Sequence, residues 1–189
     1  TRVLEGALGQ FMARHPRVRT VVRIGDGESL NRWLNRDEIE FFLADIRPFE
    51  ADPSVQTRAL APRQALFYCR PEHPLLAKES LSTNDLFDYP LVAAQLPTGV
   101  RKALANLSGK TDFDLQLECE QPAVLEQVVR HSDAIGIAAE DTLREALGQG
   151  ELLSLHPRNM PPRLESFQTR CGIVTRTGYR LSPAASAMI

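Results

Sequence analysis

The sequence predicts an α/β fold built largely on parallel sheet. Stretches with apolar residues at helical spacing alternate with short apolar runs of strand length, and nearly every junction carries Gly, Pro, Ser or Asp. Such alternation implies parallel strands joined by crossover helices. The 189 residues are 43% hydrophobic and 24% charged, values of a globular chain able to bury a core without a metal or disulfide staple.

Leu4, Ala7, Leu8, Phe11 and Met12 share a helical face, and Pro16 ends that helix. A strand is predicted next, over Val18–Ile24. Val18, Thr20, Val22 and Ile24 alternate with Arg19, Val21 and Arg23, so the second face is mostly cationic. Gly25-Asp26-Gly27 breaks it, and Glu28 and Ser29 open a helix carrying Leu30, Trp33 and Leu34. Glu38–Ile46 is a predicted strand, followed by a loop over 47–54. Thr57–Leu60 and Gln64–Arg70 read as a strand pair or one bent strand. Pro71-Glu72-His73-Pro74 is a turn, since two prolines in four residues exclude both helix and ladder. Ser82 caps a short helix to Leu86, and Leu91–Ala94 is a strand. Pro97-Thr98-Gly99 leads into a helix over Val100–Leu107. Phe113–Cys119 is a strand, and a helix from Pro122 to His131 starts with a tolerated proline. Ala134–Ala139 is a strand containing Gly136. A helix over Asp141–Leu147, a strand over Glu151–Leu155, a proline-rich crossing over Pro157–Pro162, a last strand over Ser166–Arg176 and a helix begun by Ser182-Pro183 complete the chain. Two sets of strand–helix units result, divided near residue 70, and the final strand and helix are free to return to the first.

Composition narrows the function. With 22 Lys+Arg against 24 Asp+Glu the net charge is −2, which argues against a nucleic-acid surface on this chain. The longest apolar stretches, Ala65–Cys69 and Ala134–Ala139, fall far short of the ~20 residues a membrane helix needs. Cys69, Cys119 and Cys171 show no short spacing and read as reduced core residues. His15, His73, His131 and His156 are scattered, mostly in capping positions near prolines or helix ends, and no metal spacing occurs. Gly25-x-Gly27 lacks the third glycine of a dinucleotide fingerprint, and no P-loop is present.

One pattern occurs three times: a strand, a small or polar turn, then a helix, at Gly25–Ser29, Gln95–Gly99 and Glu120–Ala123. In an open parallel sheet such turns lie at the carboxyl ends of strands, where ligands bind and helix N-termini offer N–H donors. Asp26, Glu28 and Asp45 are candidate carboxylates for such a site. Asp26 equally suits a turn, and Glu28 a helix start.

Several segments resemble the effector-binding domain of LysR-type transcriptional regulators. Leu66-Phe67-Tyr68-Cys69-Arg70-Pro71-Glu72-His73-Pro74-Leu75, then Leu81-Ser82-Thr83-Asn84-Asp85-Leu86 and Tyr89-Pro90-Leu91-Val92, carry the likeness. Phe11–Val18, Ala134-Ile135-Gly136-Ile137-Ala138, Gly150–Leu155 and Leu181–Ala185 agree with it in order and spacing.

The resemblance implies two Rossmann-like subdomains of periplasmic-binding-protein type II architecture joined by two crossover strands. The first would be 1–67 plus 168–189 and the second 68–167, with a small effector in the cleft between them. It also implies an N-terminal winged helix-turn-helix absent from this chain, which begins at Thr1 and lacks the family's first strand. DNA contact would belong to that missing part. The cleft residues carried over are Thr1; Asp26, Gly27, Glu28 and Ser29; Asp45, Ile46 and Arg47; Leu96, Pro97, Thr98 and Gly99; Gln121, Pro122 and Ala123; and Ala139. The family commonly presents Ser, Thr or Arg there, so Asp26, Glu28 and Asp45 point to an amine-bearing, polyol or otherwise polar effector rather than a simple dicarboxylate. Side-by-side pairing implies a homodimer, with a tetramer open to the full-length protein; Arg19, Val21 and Arg23 suit either that interface or a solvated face. A cytoplasmic location follows from the same resemblance. No catalytic residue, metal or cofactor is expected. A secreted solute-binding protein of the same two-lobed fold, and an enzyme on a related cleft fold, are the rival readings.

Overall fold

The computed structural model describes residues 2–96, 98–160 and 168–189. The chain folds as two units, Thr1–Pro62 with Arg170–Ile189, and Arg63–Thr169.

In unit 1, α1 (Arg2–Arg14) and α2 (Gly27–Asn35) precede β1 (Phe41–Asp45) and β2 (Val55–Ala59), and β9 (Cys171–Arg176) and α7 (Pro183–Met188) return to it. The described strands form the order β1-β9-β2, antiparallel throughout. Leu30, Leu34, Phe42, Ile46, Phe49, Val55 and Val174 make its core, with Phe42 edge-on to Phe49 at 5.3 Å. Ser182 opens α7 by accepting from the Ala185 N–H on its hydroxyl, and Glu40 takes both the Ser182 N–H (2.7 Å) and hydroxyl (3.0 Å), which ties the last helix to the start of β1.

The predicted strand over Val18–Ile24 is not formed. The segment has no partner strand among the described residues, so its backbone makes no ladder, and the alternation of its side chains buries nothing: Val21 is 65% exposed and Ile24 90%. Its far end is anchored instead, because the Arg23 guanidinium lies 5.5 Å over the Trp33 ring and pairs with Glu38. Without that strand the expected parallel sheet of unit 1 gives way to an antiparallel one, since the partner of both β1 and β2 is the returning strand β9.

Unit 2 is built on β3 (Arg63–Cys69), β4 (Leu91–Ala93), β5 (Leu117–Glu118), β6 (Ile135–Ala139) and β7 (Leu153–Leu155), in the order β5-β4-β6-β3-β7, with β8 (Gln168–Thr169) beside the start of β3. Here β4 is parallel to both β5 and β6, while β3 runs antiparallel to β6, β7 and β8. The parallel sheet expected from sequence therefore holds for three strands only. Thr57–Leu60 and Gln64–Arg70 are not a pair: β2 and β3 lie in different units. The predicted strand over Phe113–Cys119 shrinks to two residues, because Phe113 is buried in the core and ladder pairing begins only at Leu117. The predicted strand over Ser166–Arg176 is broken at Arg170, with β8 and β9 in separate units, and its first two residues lie outside those described.

The unit 2 sheet is covered on both faces, by α3 (Thr83–Leu86), α4 (Thr98–Ser108), α5 (Pro122–Arg130) and α6 (Glu140–Gly148). Phe67, Cys69, Leu91, Ala93, Ile135 and Ile137 point to one layer with Leu86 and Leu104, while Tyr68 and Val92 point to the other with Leu125, Val129 and Leu143. Tyr68 stands directly opposite Gly136, and a Cβ at Gly136 would lie 2.1 Å from the Tyr68 ring. Burial pushes both the Tyr68 phenol and the Cys69 thiol upward, the thiol to about 11, so neither ionises near neutrality.

His73 is a cap, as its place between prolines suggested, but a buried one at 2% exposure. Its Nδ1 accepts from the Leu75 N–H at 3.2 Å, so Nε2 carries the proton and donates to the Asp133 carbonyl at 3.1 Å. The ring thereby pins the Pro74–Ala77 turn to the loop before β6. Cys119 is partly buried against the layer that holds Tyr68, and Cys171, the first residue of β9, is half-buried. Among the described residues no helix is long and apolar enough to cross a membrane.

Gly136→Ala is expected to cost about 1–3 kcal/mol, the range for overfilling a packed site, in a denaturant titration. Added to Tyr68→Ala it should cost less than the sum of the two, because the second change removes the atoms the new methyl strikes.

Candidate functional site

The carboxyl ends of β4, β5 and β6 share one edge of the unit 2 sheet, since the three strands are parallel neighbours. From that edge α4 opens at Thr98, α5 at Pro122 and α6 at Glu140. The first-turn N–H groups of each helix have no acceptor within their own helix. Gln121 and Ala139, the residues at the N-caps of α5 and α6, supply no side-chain cap. Thr98, Gly99, Gln121, Pro122 and Ala123 are exposed, while Leu96 and Ala139 are half-buried, Leu96 against the core. These predicted residues gather at one edge, except Pro97, which lies outside the described residues.

Arg63, Asp141, Arg101 and Glu118 at this edge were not singled out as site residues from the sequence. Antiparallel β3 starts where β6 ends, with Ala65 opposite Ala139, and this brings Arg63 to Asp141 at 2.7 Å. The Glu120 carboxylate accepts from the Gln95 N–H at 2.9 Å, joining the turn after β5 to the turn after β4. Both turns were legible in the sequence; the bond between them was not, because only strand pairing makes them neighbours. Arg101 pairs with Glu118 nearby.

In unit 1, Asp26 is the N-cap of α2: its Oδ1 accepts from the Ser29 N–H at 2.7 Å, and its backbone oxygen from the Leu30 N–H at 2.9 Å. The bond from the Ser29 backbone, helped by the Ser29 hydroxyl, holds the Asp26 carboxyl below its ordinary value of 3.8. The Ser29 hydroxyl also accepts from Arg32 at 3.0 Å. Gly27 sits half-buried, and Glu28 is exposed. Asp45 is held by Arg47, whose Nε donates to both carboxylate oxygens at 2.9 and 3.0 Å and whose backbone N–H adds a third bond at 3.1 Å. That pairing raises the Arg47 guanidinium pKa. Ile46 is 2% exposed and belongs to the core, so it offers a ligand no side chain. Of the three carboxylates weighed from the sequence, two are thus already spoken for within the fold. Thr1 lies outside the described residues.

A surface concavity of about 600 Å³ in unit 1, lined by Tyr179, Arg180, Leu181, Pro183 and Ser186, contains none of the predicted residues. Among the described residues no three His, Cys, Asp or Glu side chains converge to hold a metal. The three helix starts of unit 2 suit acceptor oxygens of a ligand.

The family model described as the LysR substrate binding domain matches residues 1–189. The chain belongs to that family, and its two-sheet α/β fold is of periplasmic-binding-protein type II. A SDS degradation transcriptional activation protein from Pseudomonas sp. is 36% identical over 189 residues, 99% of this chain. The chain spans 60% of that relative's length. The cofactor-binding domain of the Cbl transcriptional regulator superposes with a TM-score of 0.77 at 20% identity, over 98% of this chain and 79% of that one. The CcmR regulatory domain of Synechocystis PCC6803, solved in complex with 2-PG, does so with 0.74 at 19% identity, over 98% and 87%.

Because Asp26 is depressed in the folded state, the stability it contributes is complete above about pH 4 and is lost as pH falls through its lowered pKa. Asp26→Ala should lower the melting temperature at neutral pH, and the difference from wild type should shrink on acidification. Asp26→Asn, an equally good cap, should leave the neutral-pH value unchanged. Thermal melts across a pH series check this.

Proposed function

We propose that this chain is the effector-sensing domain of a LysR-type transcription regulator working in the cytoplasm, with DNA contact assigned to a winged helix-turn-helix outside this chain. The observation that carries the reading is the family match over the whole chain, together with the gathering of three helix starts at one sheet edge of unit 2. In this reading the effector is a small polar molecule, with Thr98, Gly99, Gln121, Pro122, Ala123 and Ala139 as its contacts. The effector-binding domain of QuiR, solved in complex with shikimate, and the regulatory domain of CcmR, solved with 2-PG, support that class of partner. The effector acts by its difference in affinity for two arrangements of the regulator, which shifts their populations.

A thermal-shift screen of this domain against a metabolite collection tests the proposal. A specific effector raises the melting temperature in step with the logarithm of its concentration above Kd, by about 2.7 kcal/mol of stabilisation at a hundred times its Kd. Conversion of a stabilising compound into product would replace the sensor with an enzyme.

Self-association through the extended segment of unit 1 belongs to the same reading, because Val21, Val22 and Ile24 present apolar surface with no cover among the described residues. Sedimentation should find a dimer that Ile24→Asp weakens; a single monomeric species at high concentration would remove dimerisation from the proposal.

A further inference from the structure

We infer that Glu120 is a specificity determinant which keeps anionic compounds off the unit 2 edge and selects neutral or cationic ones. The inference rests on the proposed reading of that edge as effector-binding, and deepens it by naming the ligand class and the residue responsible.

Helix starts gathered at the ends of parallel strands favour anions, because their N–H groups are free donors and their dipoles point positive ends outward. At this edge the loop after β4 supplies one more donor, the Gln95 N–H, and the protein fills it with its own carboxylate at 2.9 Å. Glu120 is exposed, immediately precedes the α5 N-cap, and has no cationic partner among the described residues. It differs in this from Glu118 and Asp141, which are paired with Arg101 and Arg63. Two cations of this edge are therefore already neutralised, while the charge of Glu120 is not. A carboxylate or phosphate arriving at Thr98 or Gln121 would meet both a donor already in use and an unneutralised like charge. A hydroxyl or ammonium group would find in Glu120 an acceptor.

The test is an NMR titration of the 15N-labelled domain with sodium shikimate, at ionic strength matched by sodium chloride. In the wild type the Gln95 amide and the α4 and α5 first-turn amides should not shift saturably. Glu120→Ala frees the Gln95 amide, and shikimate should then shift it saturably, with an affinity gain of at least about tenfold, the scale of one like charge removed at close range. Glu120→Gln keeps the acceptor and loses the charge, so it should gain less. It also carries the test if the alanine variant fails to fold.

Saturable shikimate binding by the wild type at the Gln95 amide would overturn the inference, as would equal indifference of wild type and both variants. Failure of the underlying reading looks different. A compound from the thermal-shift screen would then stabilise the domain without moving any amide at 95, 98–100, 121–123 or 139–140, whatever shikimate does in the variants.

Discussion

The pairing of Arg63–Cys69 with Ile135–Ala139 is the constraint on which unit 2 depends. It sets Tyr68 opposite Gly136, and the ring takes the volume where any other residue would carry its Cβ. A one-residue slip would drive Tyr68 out of its layer and exchange the faces of Phe67 and Cys69. The same register brings the start of β3 to the end of β6, so Arg63 meets Asp141 at the edge where α4, α5 and α6 begin. Core packing and the composition of the candidate site are thus two consequences of one strand alignment.

Unit 1 meets a comparable restriction at Gly172, in the middle strand β9. A Cβ there would come within 2.6 Å of both the Arg58 carbonyl oxygen and the Ile46 side chain. The strand that closes unit 1 comes from the far end of the sequence, and its close fit beneath Ile46 explains why Ile46 serves the core and not a ligand. Local bonds then position the turn and strand end beside it. Asp26 orders the start of α2, and Arg47 folds back on Asp45. Charges that look available in the sequence are consumed by the geometry that holds them.

Elements whose signals are local were legible. Ser82 before Thr83–Leu86, Pro122 at the start of α5 and the glycine within β6 all stand where periodicity and capping chemistry put them. The strand over Val18–Ile24 was not, despite clean alternation, because alternation describes only what a strand would bury if a neighbour supplied its hydrogen bonds. His73 was legible as a cap and not as a buried bracket, since burial depends on Asp133 and Tyr89 arriving from distant sequence. At the candidate site the three turns were visible one by one, but the Glu120–Gln95 bond between two of them was not.

The sequence alone determined the α/β class, the positions of most helices, the near balance of charge, and its family likeness. These depend on composition and on side-chain spacing over a few residues. Tertiary structure alone decided which strands pair, that three parallel strands share one edge, that Asp45 is bound to Arg47, and that Glu120 occupies the Gln95 amide. The Asp45–Arg47 bond is local, two residues apart, but depends on backbone geometry that spacing does not show; the others depend on contacts between segments far apart in the chain, whose geometry is set only when the sheets close.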